Sequence, residues 1–254
     1  MYKHQSKQPA KKIVLLSDGT GNSSAKLMKT NVWRMYQALD LSKGDQIAMY
    51  DNGVGTSSVK LLALLGGGLG FGLKRNVLQL YKFACQNYVP GDGKKHLSDE
   101  LYLFGFSRGA FTVRVLAGLI VKQGLIMDAR GHDLEHLARL AYREYRQTFE
   151  TGRLVAFFQK VLYKARVLWE RVVHPTWPTL VQANREFPRI AFMGLWDTVD
   201  AYGLPIDEMT TGWDQYVWPL TLRNREPLAE VDKISHALAL DDERLSFHPV
   251  LYTE

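Results

Sequence analysis

The sequence predicts an α/β fold, a mostly parallel sheet flanked by helices. Three observations carry this. Apolar runs of strand length recur along the chain, at Lys12–Leu16 (KIVLL), Leu101–Phe106 (LYLFGF) and Arg189–Leu195 (RIAFMGL). Segments with the 3.6-residue spacing of amphipathic helices stand between them, the alternation that builds parallel sheets. Hydrophobic residues make up 46% of the 254, which supports a large core in one domain.

Taken in order, residues 1–11 are polar and basic and are expected to be a disordered tail. The domain is expected over 12–254. The strand KIVLL runs into a turn-rich loop, Ser17-Asp18-Gly19-Thr20-Gly21-Asn22. Thr30 to Leu39 has helical spacing at Val32, Met35, Tyr36 and Leu39, and Gln46 to Tyr50 is a second strand. The glycine-rich run at 61–73, LLALLGGGLGFGL, fits neither G-x-x-x-x-G-K-[ST] nor G-x-G-x-x-G, so it is read as a flexible apolar loop rather than a phosphate cradle. Arg75 to Tyr88 is an amphipathic helix ended by Pro90 and Gly91.

The strand at 101–106 leads into Gly105-Phe106-Ser107-Arg108-Gly109, and Ala110 to Val121 continues with a helical apolar pattern. A strand, a sharp turn and a helix around G-x-S-x-G form the nucleophile elbow of α/β-hydrolases. The turn strains its central residue, and side chains at the flanking positions would collide, so glycine is needed at 105 and 109. Ser107 is therefore the candidate nucleophile. The fold class sharpens to α/β-hydrolase-like, with a helical cap insertion at about 128–188.

A serine nucleophile needs a base, an acid that orients the base, and donors for the oxyanion. In this fold the chain order is Ser, then Asp or Glu, then His. Asp197 directly follows the 189–195 strand and is the candidate acid, with Asp200 as the weaker choice. The oxyanion donors are expected to be the N–H of Arg108, next to the serine, and a donor near Gly19 and Thr20, where glycine allows close backbone approach. That loop also reads as a plain turn held by the Asp18 and Asn22 side chains. The base is harder to place. His236 and His248 are the histidines that follow Asp197. The surroundings of His236, ISHALAL, look helical or mixed, and Phe247-His248-Pro249 looks like a turn.

The 128–188 region has long helical periodicity and many basic residues, among them Arg139, Arg143, Arg146 and Lys160. It reads as a cap with a solvated outer face; a basic amphipathic helix lying on a membrane surface is the alternative. The net charge of +6 suits anionic partners, but no zinc-finger, RNA-binding or Arg-Gly-rich motif is present and no nucleic-acid partner is expected. No apolar run approaches the roughly 18 residues of a membrane span, and no secretory signal is evident. No cofactor or metal is expected. Cys85 is a lone cysteine inside an apolar helix, read as a buried thiol, and His132 and His136 lack the H-E-x-x-H pattern.

Several segments together resemble one family: LLSDGTGN (15–22), DNGVGT (51–56), GGGLGFGLKRNVLQLYKFACQNYVPGD (66–92), LYLFGFSRGAFTVRVLAGLI (101–120), FMGLWDTVDAYGLP (192–205) and HALALDDERLSFHPVL (236–251). The chain resembles the α/β-hydrolase domain of type VI secretion lipase effectors and the uncharacterised hydrolases related to them. The resemblance implies carboxylic-ester hydrolysis of a phospholipase A type, with Ser107 as nucleophile and Asp197 as acid. It implies a lipid or other hydrophobic ester as substrate, contact with a membrane surface, and a secretion machine or immunity protein as partner. Location is then cytoplasmic, or exported without a cleaved signal peptide. The family's histidine is expected in a G-x-H-x-D-x-G-G stretch that this sequence does not contain. Three readings stay open: a chain truncated at its C-terminus before the base, His236 as the substitute base, or a catalytically incomplete relative acting as a binding module.

Overall fold

A computed structural model of the chain describes residues 10–19, 29–53, 68–92, 97–147, 165, 179–198 and 227–239. Strand β1 (Lys12–Ser17) and strand β2 (Gln46–Asp51) are joined through helix α1 (Asn31–Ala38); helix α2 (Gly68–Asn87) precedes strand β3 (Glu100–Phe106). Helix α3 (Arg108–Gln123), the short strand β4 (Leu125–Ile126) and helix α4 (Gly131–Gln147) follow. Strands β5 (Arg185–Glu186), β6 (Ile190–Trp196) and β7 (Ile234–Ala237) complete the described elements.

The sheet has the order β2-β1-β3-β6-β7, and every pairing in it is parallel. This is the flanked, mostly parallel sheet of an α/β-hydrolase-like fold. Parallel strands need crossovers and bury both faces, which is why β1 and β3 read as continuous apolar runs rather than alternating ones. Ile13, Leu15, Leu101 and Leu103 face the α2 and α3 side, while Val14, Leu16 and Phe104 join Val32 of α1 on the other. On the α1 face, Trp33, Tyr36 and Tyr50 form an aromatic cluster with ring centroids 5.0 to 5.7 Å apart.

Helix α3 is buried almost all round, because the sheet covers one side and α2 and α4 cover the rest. Its Phe111, Leu116, Leu119 and Ile120 are fully buried, each worth about 2 kcal/mol in apolar surface removed from water. Helix α4 turns Leu134, Leu137, Ala138, Ala141 and Tyr145 toward this core. It approaches so closely at Gly118 that a Cβ there would meet the Tyr145 hydroxyl. This part of the segment expected as a cap thus lies on the helix layer beside α2 and α3. Residues 148–164 and 166–178 are outside the described residues.

Two sequence expectations are corrected. Helix α2 starts at Gly68, inside the run read as a loop. Glycine costs about 1 kcal/mol per helical position, but the apolar period runs back to Leu73, which is buried, and packing outweighs propensity. The stretch around His236, read as helical or mixed, is a strand: Ile234–Ala237 pairs with Met193–Trp196 in parallel register. Four residues carry too little periodicity to reveal a strand whose existence depends on its neighbour.

Side-chain contacts fix the ends of these elements, and the expected burial of Cys85 is found. Thr30 caps α1, its hydroxyl accepting the Trp33 N–H at 3.1 Å. Cys85 is buried; its sulfur accepts the Ile126 N–H at 3.3 Å, and burial pushes the thiol up to about 12. Lys11, at the edge of the expected tail, is tied down: its N–H donates to Asp99 Oδ1 at 2.9 Å and its Nζ to the Asn87 carbonyl at 2.8 Å. Among the described residues no helix is long and apolar enough to cross a membrane.

Candidate active site

The chain passes from β1 outward to β2 and then returns to place β3 on the opposite side of β1. The carboxyl ends of β1 and β3 therefore flank the crevice where the strand order reverses, the usual ligand position in open parallel sheets. Ser17, Asp18 and Gly19 leave β1 there, and Ser107 leaves β3.

Ser107 is half-buried and has φ 55 and ψ −122. It occupies the N-cap position of α3 but makes no side-chain capping bond, so its hydroxyl is not spent on the helix. The left-handed backbone is possible because both flanks are glycine. A Cβ at Gly105 would stand 2.5 Å from the Gly109 carbonyl oxygen, and one at Gly109 would stand 2.1 Å from that of Ser17. The Ser107 N–H donates to the Trp196 carbonyl at 2.8 Å, which ties the elbow to β6.

Asp197 follows β6 as Ser107 follows β3. The register pairs Phe106 with Trp196, so the two residues leave neighbouring strands side by side, with backbones about 4.8 Å apart. Asp197 is buried and also has a positive φ, 45. Among the described residues Ser107 and Asp197 are the non-glycine residues with positive φ. Such strain concentrates where function holds a side chain in a set direction. The Asp197 N–H donates to the Ala237 carbonyl at 2.8 Å, and the Thr198 N–H donates to His236 Nε2 at 3.3 Å.

His236 is half-buried within β7, opposite Leu195. Burial, and then the charge of Arg114, hold its imidazole below the usual value of 6.5, while Asp197 pulls the other way. Arg114 lies two turns along α3 from the elbow and is buried, a charged residue that an apolar helical pattern did not single out.

At the β1 end, Asp18 is the organiser. Its Oδ1 accepts the Gly19 N–H at 2.7 Å, and its Oδ2 accepts the hydroxyls of Thr30 and Tyr50, both at 2.6 Å. Gly53 packs against the same loop at φ +79, where a Cβ would stand 2.5 Å from the Asp18 carbonyl oxygen. The Gly19 N–H is thus turned to a carboxylate. Arg108 opens α3, at a position whose N–H has no intrahelical acceptor. Thr20, Asp200 and His248 lie outside the described residues.

A cleft of about 520 Å³ is lined by Asp197 together with the apolar Phe106, Trp196 and Leu238 and the basic Lys29 and Arg34. Among the described residues no group of three or more His, Cys, Asp or Glu is arranged to hold a metal ion.

Comparison with known proteins bears on this arrangement. Residues 11–254 match the family model described as "T6SS, Phospholipase effector Tle1-like, catalytic domain". The chain is also 26% identical over 258 aligned residues to the uncharacterized protein YEL023C of Saccharomyces cerevisiae. That alignment takes in 96% of this chain and 33% of the yeast protein, so the chain spans a third of the length of this curated relative. No solved structure matches.

Proposed function

We propose, from the premise that this chain belongs to the Tle1-like phospholipase effector catalytic domain family, that it hydrolyses a carboxylic ester of a lipid, in the manner of a phospholipase A. The observation that carries this reading is the pair of strained residues, Ser107 and Asp197, at the ends of adjacent parallel strands.

In this reading Ser107 Oγ attacks the ester carbonyl and gives its proton to an imidazole oriented by Asp197. The Arg108 N–H, at the start of α3, holds the oxyanion, helped by the positive end of the helix. Gly19 serves as the second donor if its N–H exchanges the Asp18 carboxylate for substrate, and Thr20 is the other candidate. The alcohol leaves with the proton, and water then releases the fatty acid from the acyl-serine. Phe106, Trp196 and Leu238 offer an apolar wall for the acyl chain, and Lys29 and Arg34 suit an anionic headgroup. For an effector, the partners are then a lipid surface and a secretion machine or immunity protein.

His236 as the proton acceptor is one version of this mechanism. A second version is favoured by a specific observation: Nε2 of His236 already accepts the Thr198 N–H. The base is then another imidazole.

The test is fluorophosphonate labelling and hydrolysis of phosphatidylglycerol vesicles by the purified chain. The expected result is labelling at Ser107 and fatty-acid release that Ser107→Ala abolishes while the circular dichroism spectrum stays unchanged. Release that survives in the alanine variant overturns the proposal.

A further inference from the structure

We infer that His236 is a positioning residue, whose imidazole holds the Thr198 N–H and so fixes the direction in which the Asp197 carboxylate leaves β6. The inference rests on the proposed role of Asp197 as the acid, and it assigns His236 work other than proton transfer with Ser107.

Strand β7 grips the turn after β6 through two consecutive residues. The carbonyl of Ala237 takes the Asp197 N–H, and the side chain of His236 takes the next N–H, that of Thr198. Parallel pairing supplies acceptors only as far as the strand runs, and β7 ends at Ala237. A side chain therefore takes over where the ladder stops. The need is real, because Thr198 is fully buried and a buried N–H without an acceptor is costly. The turn also has to be held against its own backbone: Asp197 sits at φ 45, which relaxes unless the surroundings prevent it.

The hydrogen bond requires one state of the imidazole. An N–H can only donate, so Nε2 carries the lone pair and the ring is the neutral Nδ1–H tautomer. That tautomer has one acceptor nitrogen, and Thr198 occupies it. Protonation would turn both nitrogens into donors and set two N–H groups against each other. The charged groups that act on the ring are Arg114 from α3 and Asp197 from the turn, with opposite effects. Burial joins Arg114 in favouring the neutral form, the form the hold requires.

The experiment uses the purified chain with His236→Ala, which removes the acceptor, and His236→Gln, whose amide oxygen restores one without a basic nitrogen. Amide exchange at Thr198 is followed by NMR, and fluorophosphonate labelling and short-chain ester hydrolysis are measured alongside, with Ser107→Ala as control. The expected result is that His236→Ala speeds Thr198 exchange roughly tenfold or more and lowers kcat about as much, with KM little changed, while His236→Gln recovers both to within about threefold of wild type. A glutamine variant as inactive as Ser107→Ala overturns the inference in favour of His236 as base. So does Thr198 exchange that is unchanged in a folded His236→Ala chain. A wild-type chain that neither labels nor hydrolyses overturns the proposed function instead, and Thr198 exchange in the two variants still decides whether His236 holds the turn.

Discussion

Gly109 and the Ser17 carbonyl approach so closely that a Cβ at position 109 would stand 2.1 Å from the oxygen. The contact joins the first turn of α3 to the end of β1, and backbone lies on both sides of it. Gly109→Ala must move one of them, and is expected to lower unfolding free energy by about 3 kcal/mol in urea titration. Gly44 is the comparison. Its φ is +71 but nothing lies within 4 Å, so Gly44→Ala pays only backbone strain, about 1 kcal/mol. Equal losses at the two positions would show that crowding does not explain the elbow glycine.

Replacing the serine itself separates strain from chemistry. Alanine at 107 keeps a Cβ at φ 55, whereas glycine is at ease there. Ser107→Gly is expected to be more stable than Ser107→Ala by roughly 1 kcal/mol, strain relief exceeding the extra entropy of glycine. Differential scanning calorimetry of the pair measures this, and a glycine variant that melts lower contradicts a strained elbow.

Asp18 accepts three hydrogen bonds from a nearly buried position. Asp18→Ala strands the hydroxyls of Thr30 and Tyr50, and is expected to cost about 3 kcal/mol by chemical denaturation. Tyr50→Phe removes one donor and leaves the others, so its cost is expected near 1.5 kcal/mol. In the double variant the two costs combine to less than their sum, because they share one bond.

The His236 imidazole titrates below its usual value of 6.5, first through burial and then through Arg114. The unfolded chain therefore takes up this proton before the folded one does. Its contribution to stability is present in full above pH 6.5 and is lost as pH falls through the lowered folded value. Unfolding free energy measured from pH 8 to pH 5 is expected to fall toward the acid end, with the part due to this residue absent in His236→Gln. An identical pH dependence in the two chains removes the imidazole as its source.

Cys85 is expected to be inert. With its thiol pushed up to about 12 and 1% exposed, it offers almost no thiolate and no approach. Iodoacetamide at pH 8 is expected to modify the native chain at least about a hundredfold more slowly than the chain in denaturant, read by mass spectrometry.

The elbow was legible in the sequence because its causes are local: an apolar strand, two glycines at fixed spacing and a helix that follows at once. The same holds for β1 and for the place of Asp197 after its strand. What escaped was decided by distant partners. Strand β7 is defined by four pairings to β6 and not by its own pattern. The contact between His236 and Thr198 needs that register before it exists. Arg114 sits in an apolar helix as the only charge between Arg108 and Lys122, yet nothing in that spacing says it acts on His236. The glycine-rich run shows the opposite error, in which local propensity was heeded and the packing of Leu73 outweighed it.

The bond from the Ser107 N–H to the Trp196 carbonyl joins opposite halves of the polypeptide. Loop closure over such a span is expected to follow the formation of local helices and the β1–β2 unit. A nascent chain that has emerged only through α3 carries the serine motif without the strand that fixes its turn. The strained turn at Ser107 is thus a product of completed folding, and a ribosome-bound half-chain lacks the β6 carbonyl that holds it.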